Sequence, residues 1–253
     1  MLVKNKQELK GIVEAGKAVA ITLKKMREFT KAGITTKELD DYGRSVLESF
    51  GAVSAPSKDY EFPGCACISV NNEVCHGIPS ENRVIKDGDL VNIDVSAELN
   101  GFYGDNGGSF IVGKDTRDLQ KLVNASQEIL HLAIPKIKNK VRISDIGALI
   151  EKEAKKRGFR VIKNLCGHGV GRKLHEEPSE IPCFKDVDNT QRFQKNTVIA
   201  LETFISTSAE EVEKHADGWT FVPSDGTSFV AQHEHTLIVT EGKPVILTKA
   251  NGI

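Results

Sequence analysis

Apolar residues recur along residues 6–29 at Leu9, Ile12, Val13, Val19, Leu23 and Met26, a spacing that predicts an amphipathic helix. Residues 36–50 predict a second helix, opened by a Thr-x-x-acid cap and closed by Gly51. The period then changes, and runs at 66–70, 89–99 and 102–112 predict strands. Helical spacing returns at 116–138 and 144–157, the second stretch with Ser144 as N-cap and Gly158 just past its end. The β-branched runs 160–164, 197–206, 219–222, 229–239 and 245–248 predict strands again. This order, helices then strands twice over, predicts an α+β domain in which two halves each supply helices and part of one sheet. No linker, low-complexity tract or abrupt change of composition divides the chain, so residues 1–253 read as a single domain.

Four acids interrupt the apolar pattern. In VNIDVSAELNGFYGD (residues 91–105), Asp94 falls where the strand is most apolar, and Asp105 follows after a turn. Asn100-Gly101 is a strong signal for a two-residue type I′ turn. With that turn Ser96 faces Asp105 and Asp94 faces Gly107, so Asp94, Ser96 and Asp105 share one face. The two acids are then diagonal neighbours with Cβ atoms roughly 7–8 Å apart, close enough to converge on one cation. A wet sheet edge is the alternative for an isolated strand acid. The oddity repeats, however, at Glu202 in NTVIALETFIS and at Glu234 in SFVAQHEHTLIVT. A buried unpaired carboxylate costs several kcal/mol, so it is paired, protonated or bound to metal. None of these runs contains Arg or Lys, which makes metal the economical answer.

The histidines narrow the chemistry. His131 in a helix and His215 in a charged turn read as solvated, while His233 and His235 flank Glu234 as supporting partners or ordinary strand residues. His76 in VCHGIP and the pair His168 and His175 in CGHGVGRKLHEEP stand out. Gly167, Gly169 and Gly171 leave no side chains to block a ligand at His168. GHGVG lacks both the Lys-Ser/Thr of a P-loop and the spacing of a dinucleotide fold, which weakens a phosphate reading. Cys65-Ala66-Cys67 with Cys75-His76 has the wrong spacing for a zinc knuckle. Asp94, Asp105, His168, Glu202 and Glu234 are too many donors for one tetrahedral zinc and suit two divalent ions, hence metal-assisted hydrolysis.

Charge and cysteine content limit partners. Lys+Arg at 34 against Asp+Glu at 35 leaves a net charge of -1, which argues against a surface built for nucleic acid or an anionic membrane. No apolar run approaches a membrane span, and the first residues lack the apolar core of a signal peptide. Five cysteines, an odd number, fit reduced thiols; the expectation is a cytoplasmic protein, monomeric by default for its size.

The ordered residues CHGIP (75–79), NIDV with a following GD (92–95, 104–105), GHGVG with HEEP (167–171, 175–178), ALETF (200–204) and AQHEHT (231–236) resemble the type I methionine aminopeptidases. The resemblance spans nearly the whole chain. It implies the pita-bread fold, a curved antiparallel sheet flanked by helices in two pseudo-symmetric halves. It implies removal of the initiator methionine from nascent proteins and peptides, with a small second residue preferred, at a two-metal site with a bridging water. Asp94 would chelate one ion, Asp105 and Glu234 would bridge, and His168 and Glu202 would hold the second. Glu202 would double as general base, His76 would assist proton movement near the scissile bond, and His175 would donate a hydrogen bond to the substrate carbonyl. Phe62, Cys67, Leu174 and Trp219, with His76 and His175, would bind the substrate. The ions would be Co, Mn, Fe(II) or Zn, with a monovalent cation near Asn71 and Ser228, and the ribosome joins nascent chains among the implied partners. The chain departs from the family pattern at Thr203, where proline is usual, at Asn106-Gly107-Gly108 after Asp105, and at Pro56 and Asp59. An X-Pro peptidase of the same fold is the runner-up, and a binding protein that has lost catalysis is the reading from another class. An accessory paralogue also fits these departures.

Overall fold

The computed structural model describes all 253 residues, Met1–Ile253. Helix α1 (Lys6–Phe29) is capped by Asn5, whose side chain accepts the Glu8 N–H. It buries Ile12, Val19, Leu23 and Met26; Leu9 and Val13 lie at the margin of the stripe and stay exposed. Helix α2 (Thr36–Ser49) opens on a capping box, set at Thr35 and Glu38. A short helix α3 (Ala55–Tyr60), which the apolar pattern does not announce, starts from the Ser54 cap with Pro56 in its first turn.

The strands are β1 (Val53–Ser54), β2 (Cys67–Val70), β3 (Leu90–Leu99), β4 (Phe102–Ile111), β5 (Arg160–Val161), β6 (Cys166–Gly169), β7 (Glu176–Pro182), β8 (Val198–Ser206), β9 (Val212–Lys214), β10 (Phe221–Pro223), β11 (Val230–Ile238) and β12 (Val245–Ile246). Helices α4 (Gln120–Ala133) and α5 (Ile143–Lys156) separate the first four strands from the rest. The expected helix over 116–138 is shorter for two reasons. The Asp115 carboxylate accepts the N–H groups of Arg117, Leu119 and Gln120 and so holds the approach as a loop. At the other end Pro135 sits in a 3-10 turn, Ile134–Lys136. Ser144 does not cap α5: the helix begins one residue earlier, and the Ser144 hydroxyl donates to the Asp186 carbonyl instead.

Ten strands form one antiparallel sheet in the order β1-β3-β4-β11-β8-β6-β7, with β2 also on β3, β5 on β8 and β12 on β11; β9 and β10 form a separate hairpin. The hairpin register is the expected one, Ser96 opposite Asp105 and Asp94 opposite Gly107. Asn100 and Gly101 both have positive φ, 53° and 80°, as a type I′ turn requires. Strands β6 and β7 carry little β-propensity in their sequences and owe their conformation to pairing with β8 and with each other.

Two apolar cores lie on the helical side. One packs α1, backed by α2, against β3 and β4, and the other packs α4, backed by α5, against β8 and β11. Each half therefore repeats one plan, a helix pair beside an antiparallel strand pair, and the halves meet where β4 neighbours β11. The opposite face of the central strands, left uncovered by α1, α2, α4 and α5 and reached only at its rim by α3, carries the acids.

Candidate metal centre

Alternation along four strands puts the acids together. Glu202 on β8 stands directly opposite Glu234 on β11, and Asp94 and Asp105 project from the β3–β4 hairpin on the same side. Strand β6 adds His168 opposite Ala200, two residues from Glu202 along β8. The His168 Nε2 atom lies 3.6 Å from Asp105 Oδ2, and donor atoms of Asp105, His168 and Glu234 all fall within 4.8 Å of one another. Period two sends Asn106, Thr203, His233 and His235 to the other face. There His233 Nδ1 meets the Ser126 hydroxyl on α4 at 3.0 Å and His235 Nδ1 meets the Thr248 hydroxyl at 2.8 Å. Both histidines are thus core residues bonded away from the acids.

Gln232 ties the carboxylates from within β11. Its side-chain N–H group donates to Glu234 Oε2 at 3.0 Å and to Glu202 Oε2 at 3.3 Å, while its carbonyl oxygen accepts from Asn92 at 2.8 Å. Gly107 makes this reach available, because a Cβ there would lie 2.4 Å from Gln232 Oε1. The Thr236 hydroxyl donates to the Asp105 carbonyl at 2.6 Å and accepts the Asp105 N–H at 3.0 Å, locking Asp105 across the seam between halves. The glycines around His168 serve a purpose other than ligand clearance. A Cβ on Gly167 would meet the Ala200 carbonyl at 2.5 Å, and one on Gly169 the Glu177 carbonyl at 2.3 Å, so both permit close strand approach.

The electrostatics are unfavourable without a counter-charge. Burial pushes the Asp94 carboxyl up to about 7, and burial together with the neighbouring carboxylates pushes Asp105, Glu202 and Glu234 up as well. Burial drives the His168 imidazole down to about 4, which keeps it neutral and able to ligate. Asp105 Oδ1 and Glu234 Oε1 are buried with no hydrogen-bond partner. Two orphaned carboxylate oxygens, beside a neutral imidazole in a crowd of acids, fit a divalent cation.

All five expected ligands line one cavity of about 270 Å³, and so do His76, His175, Phe62, Cys67, Leu174 and Trp219. Phe62 and Trp219 meet edge to face with centroids 5.3 Å apart, and the His76 ring, on a backbone with φ 55°, stands edge-on to Phe221 at 5.4 Å. The His168 and His175 rings lie 4.2 Å apart. Asn71 and Ser228 lie away from this cavity. Asn71 accepts from Leu90 N–H and from Arg117, whose guanidinium stacks on Phe229, the chain neighbour of Ser228.

Sequence reasoning did not single out Tyr60, Cys166, Phe204 or Gln232. Phe204 and Cys166 were within reach of it: each lies two residues from an expected ligand on the same strand, hence on the same face. Tyr60 carried no such signal, since it lies at the end of the unpredicted helix α3. The departure at Thr203 is accommodated, because its hydroxyl bonds the Ser126 hydroxyl at 2.9 Å and β8 continues unbroken past Glu202.

Comparison with known proteins agrees with this geometry. The model of metallopeptidase family M24 matches residues 10–241. Methionine aminopeptidase 2 of Bacillus subtilis is 48% identical over 249 residues, covering 98% of this chain and all of that one. A methionine aminopeptidase of Staphylococcus epidermidis is 45% identical over 250 residues, 98% of this chain and 99% of its own. A crystal structure of methionine aminopeptidase from Thermotoga maritima superposes with a TM-score of 0.93 at 35% identity, across 98% of this chain and 100% of that one. The chain belongs to metallopeptidase family M24, within its methionine aminopeptidase branch.

Proposed function

We propose that this protein removes the N-terminal methionine from nascent proteins and peptides, with a preference for a small second residue. The observation that carries the reading is the junction of an apolar, aromatic-walled cavity with a floor of three buried carboxylates, the half-buried Asp94 and one neutral imidazole. Asp94, Asp105, His168, Glu202 and Glu234 would hold two divalent ions, drawn from Co, Mn, Fe(II) and Zn. When bound, the ions supply counter-charge to the carboxylates and acidify water for attack.

The rest of the chemistry falls to the chain. The methionine side chain enters the wall formed by Phe62, Cys67, Leu174 and Trp219, which suits a flexible thioether. Glu202 acts as general base on the attacking water. His175 donates a hydrogen bond to the carbonyl oxygen as charge develops there, and His76 assists proton movement to the departing amine. Phe204, two residues along β8 from Glu202, narrows the space open to the second residue and supports the preference for small ones. The reading includes cytoplasmic action on chains leaving the ribosome, and a monovalent cation near Asn71 and Ser228.

Hydrolysis of Met-Ala-Ser and Met-Leu-Ser by metal-stripped protein, with each of the four metals added singly, tests this. Release of methionine from the first peptide and little from the second is the expected result. Bound metal by elemental analysis with no release from either peptide would favour the non-catalytic reading.

A further inference from the structure

At the cavity rim the Tyr60 hydroxyl lies 2.7 Å from Nδ1 of His175, with ring centroids 5.6 Å apart. This is the one side-chain hydrogen bond that His175 makes, and the one that Tyr60 makes. Tyr60 ends helix α3, and the next residue, Glu61, turns the chain back in a left-handed conformation, φ 59°. The turn leads directly to Phe62 of the cavity wall, so one short segment supplies both the phenol and an apolar wall.

From this geometry we infer that Tyr60 is a positioning residue for His175, donating its phenolic proton to Nδ1 and so fixing the imidazole proton on Nε2. A phenol ionises near pH 10, so at neutral pH it is a donor, and the nitrogen of a neutral imidazole is the better acceptor of the pair. Which nitrogen of a histidine carries the proton is set by the hydrogen bond that the other one makes. With Nδ1 occupied, Nε2–H is the remaining donor and points away from Tyr60. Without the phenol, the imidazole populates both tautomers and turns more freely at an exposed rim. The inference deepens the proposed role of His175 as hydrogen-bond donor to the substrate carbonyl and rests on that reading.

Two measurements on the full-length protein test it, one of them independent of turnover. In zinc-loaded protein labelled with 15N-histidine, the His175 nitrogen shifts of the wild type are expected to report the Nε2–H tautomer, and Tyr60→Phe to move them toward a mixture. Unchanged shifts in Tyr60→Phe overturn the inference whatever the activity. In the metal-loaded enzyme, Tyr60→Phe is expected to lower kcat about three- to tenfold, the scale of one hydrogen bond, with KM changed by less than about twofold. In a His175→Ala background the same substitution is expected to have no further effect on kcat. An equal loss in both backgrounds assigns Tyr60 a role unconnected with His175 and overturns the inference. Wild-type protein that releases no methionine with any metal overturns the proposed function instead, and leaves the tautomer measurement to decide the Tyr60–His175 relationship by itself.

Discussion

Glu202 and Glu234 stand directly opposite one another across the β8–β11 ladder, both buried and both held by the amide of Gln232. Like charges placed so are destabilising in a sheet, and a free sheet would not keep them. Their arrangement states what the strands are for, and it predicts how the metal-free protein behaves.

Stability of the metal-free protein is expected to fall as pH rises above neutrality. Asp94, Asp105, Glu202 and Glu234 all bind protons more tightly folded than unfolded. Their contribution is therefore fully present below the ordinary carboxylate range near pH ~4 and lost as pH climbs through the raised values, for Asp94 about 7. Thermal melts between pH 7 and pH 8.5 with chelator present, above the range in which the buried His76, His168, His233 and His235 act in the opposite direction, should show a falling Tm, and the same melts with saturating Mn or Co should flatten the dependence. A metal-free Tm that climbs over this range would contradict the buried-acid account.

Asp105→Ala is expected to abolish turnover and leave the fold. Removing this carboxylate deletes a donor shared with His168 and Glu234 while relieving repulsion in the metal-free state. Circular dichroism should match the wild type and the metal-free Tm should not drop, whereas elemental analysis should show lost metal. A fully active Asp105→Ala protein would refute a two-ion site.

Gly107→Ala tests the reach of Gln232. The new methyl would lie against the end of a flexible side chain, so the strand should survive with a cost of about 1 kcal/mol. The amide, displaced from Glu202 and Glu234, should no longer align them. Metal affinity is expected to weaken about tenfold or more, measured by competition with a chromogenic chelator.

Thr203→Val isolates the departure behind Glu202. The substitution keeps the shape and β-propensity but leaves the buried Ser126 hydroxyl and the His233 carbonyl one partner short. A loss of about 1–2 kcal/mol in urea unfolding is expected, with kcat unchanged, because this network lies on the helix-covered face away from the acids.

Much of the site was readable because strands obey period two and a tight turn sets register. Asn100-Gly101 sufficed to align Asp94, Asp105 and Gly107, and each acid broke an apolar run that had no basic partner. Helix α1 and strands β3, β4, β8 and β11 were equally legible, being long and strongly patterned. What stayed hidden depended on contacts between distant segments. Strands β6 and β7 are extended because β8 holds them, α4 is cut short by the turn at Asp115, and Tyr60 meets His175 across more than a hundred residues of chain. Local composition carries no record of such meetings.

The five residues proposed to hold the ions come from both halves: Asp94 and Asp105 from one, His168, Glu202 and Glu234 from the other. Between the halves the β4–β11 ladder aligns only at Gly108 and His233, reinforced by Thr236 on Asp105 and Gln232 on Ser109 and Asn92. Ions seated across that seam would add to the apolar contacts that already join the halves, so a cell short of metal would hold a protein that opens sooner to proteases. Metal supply would then govern how long each copy lasts, as well as how fast it works.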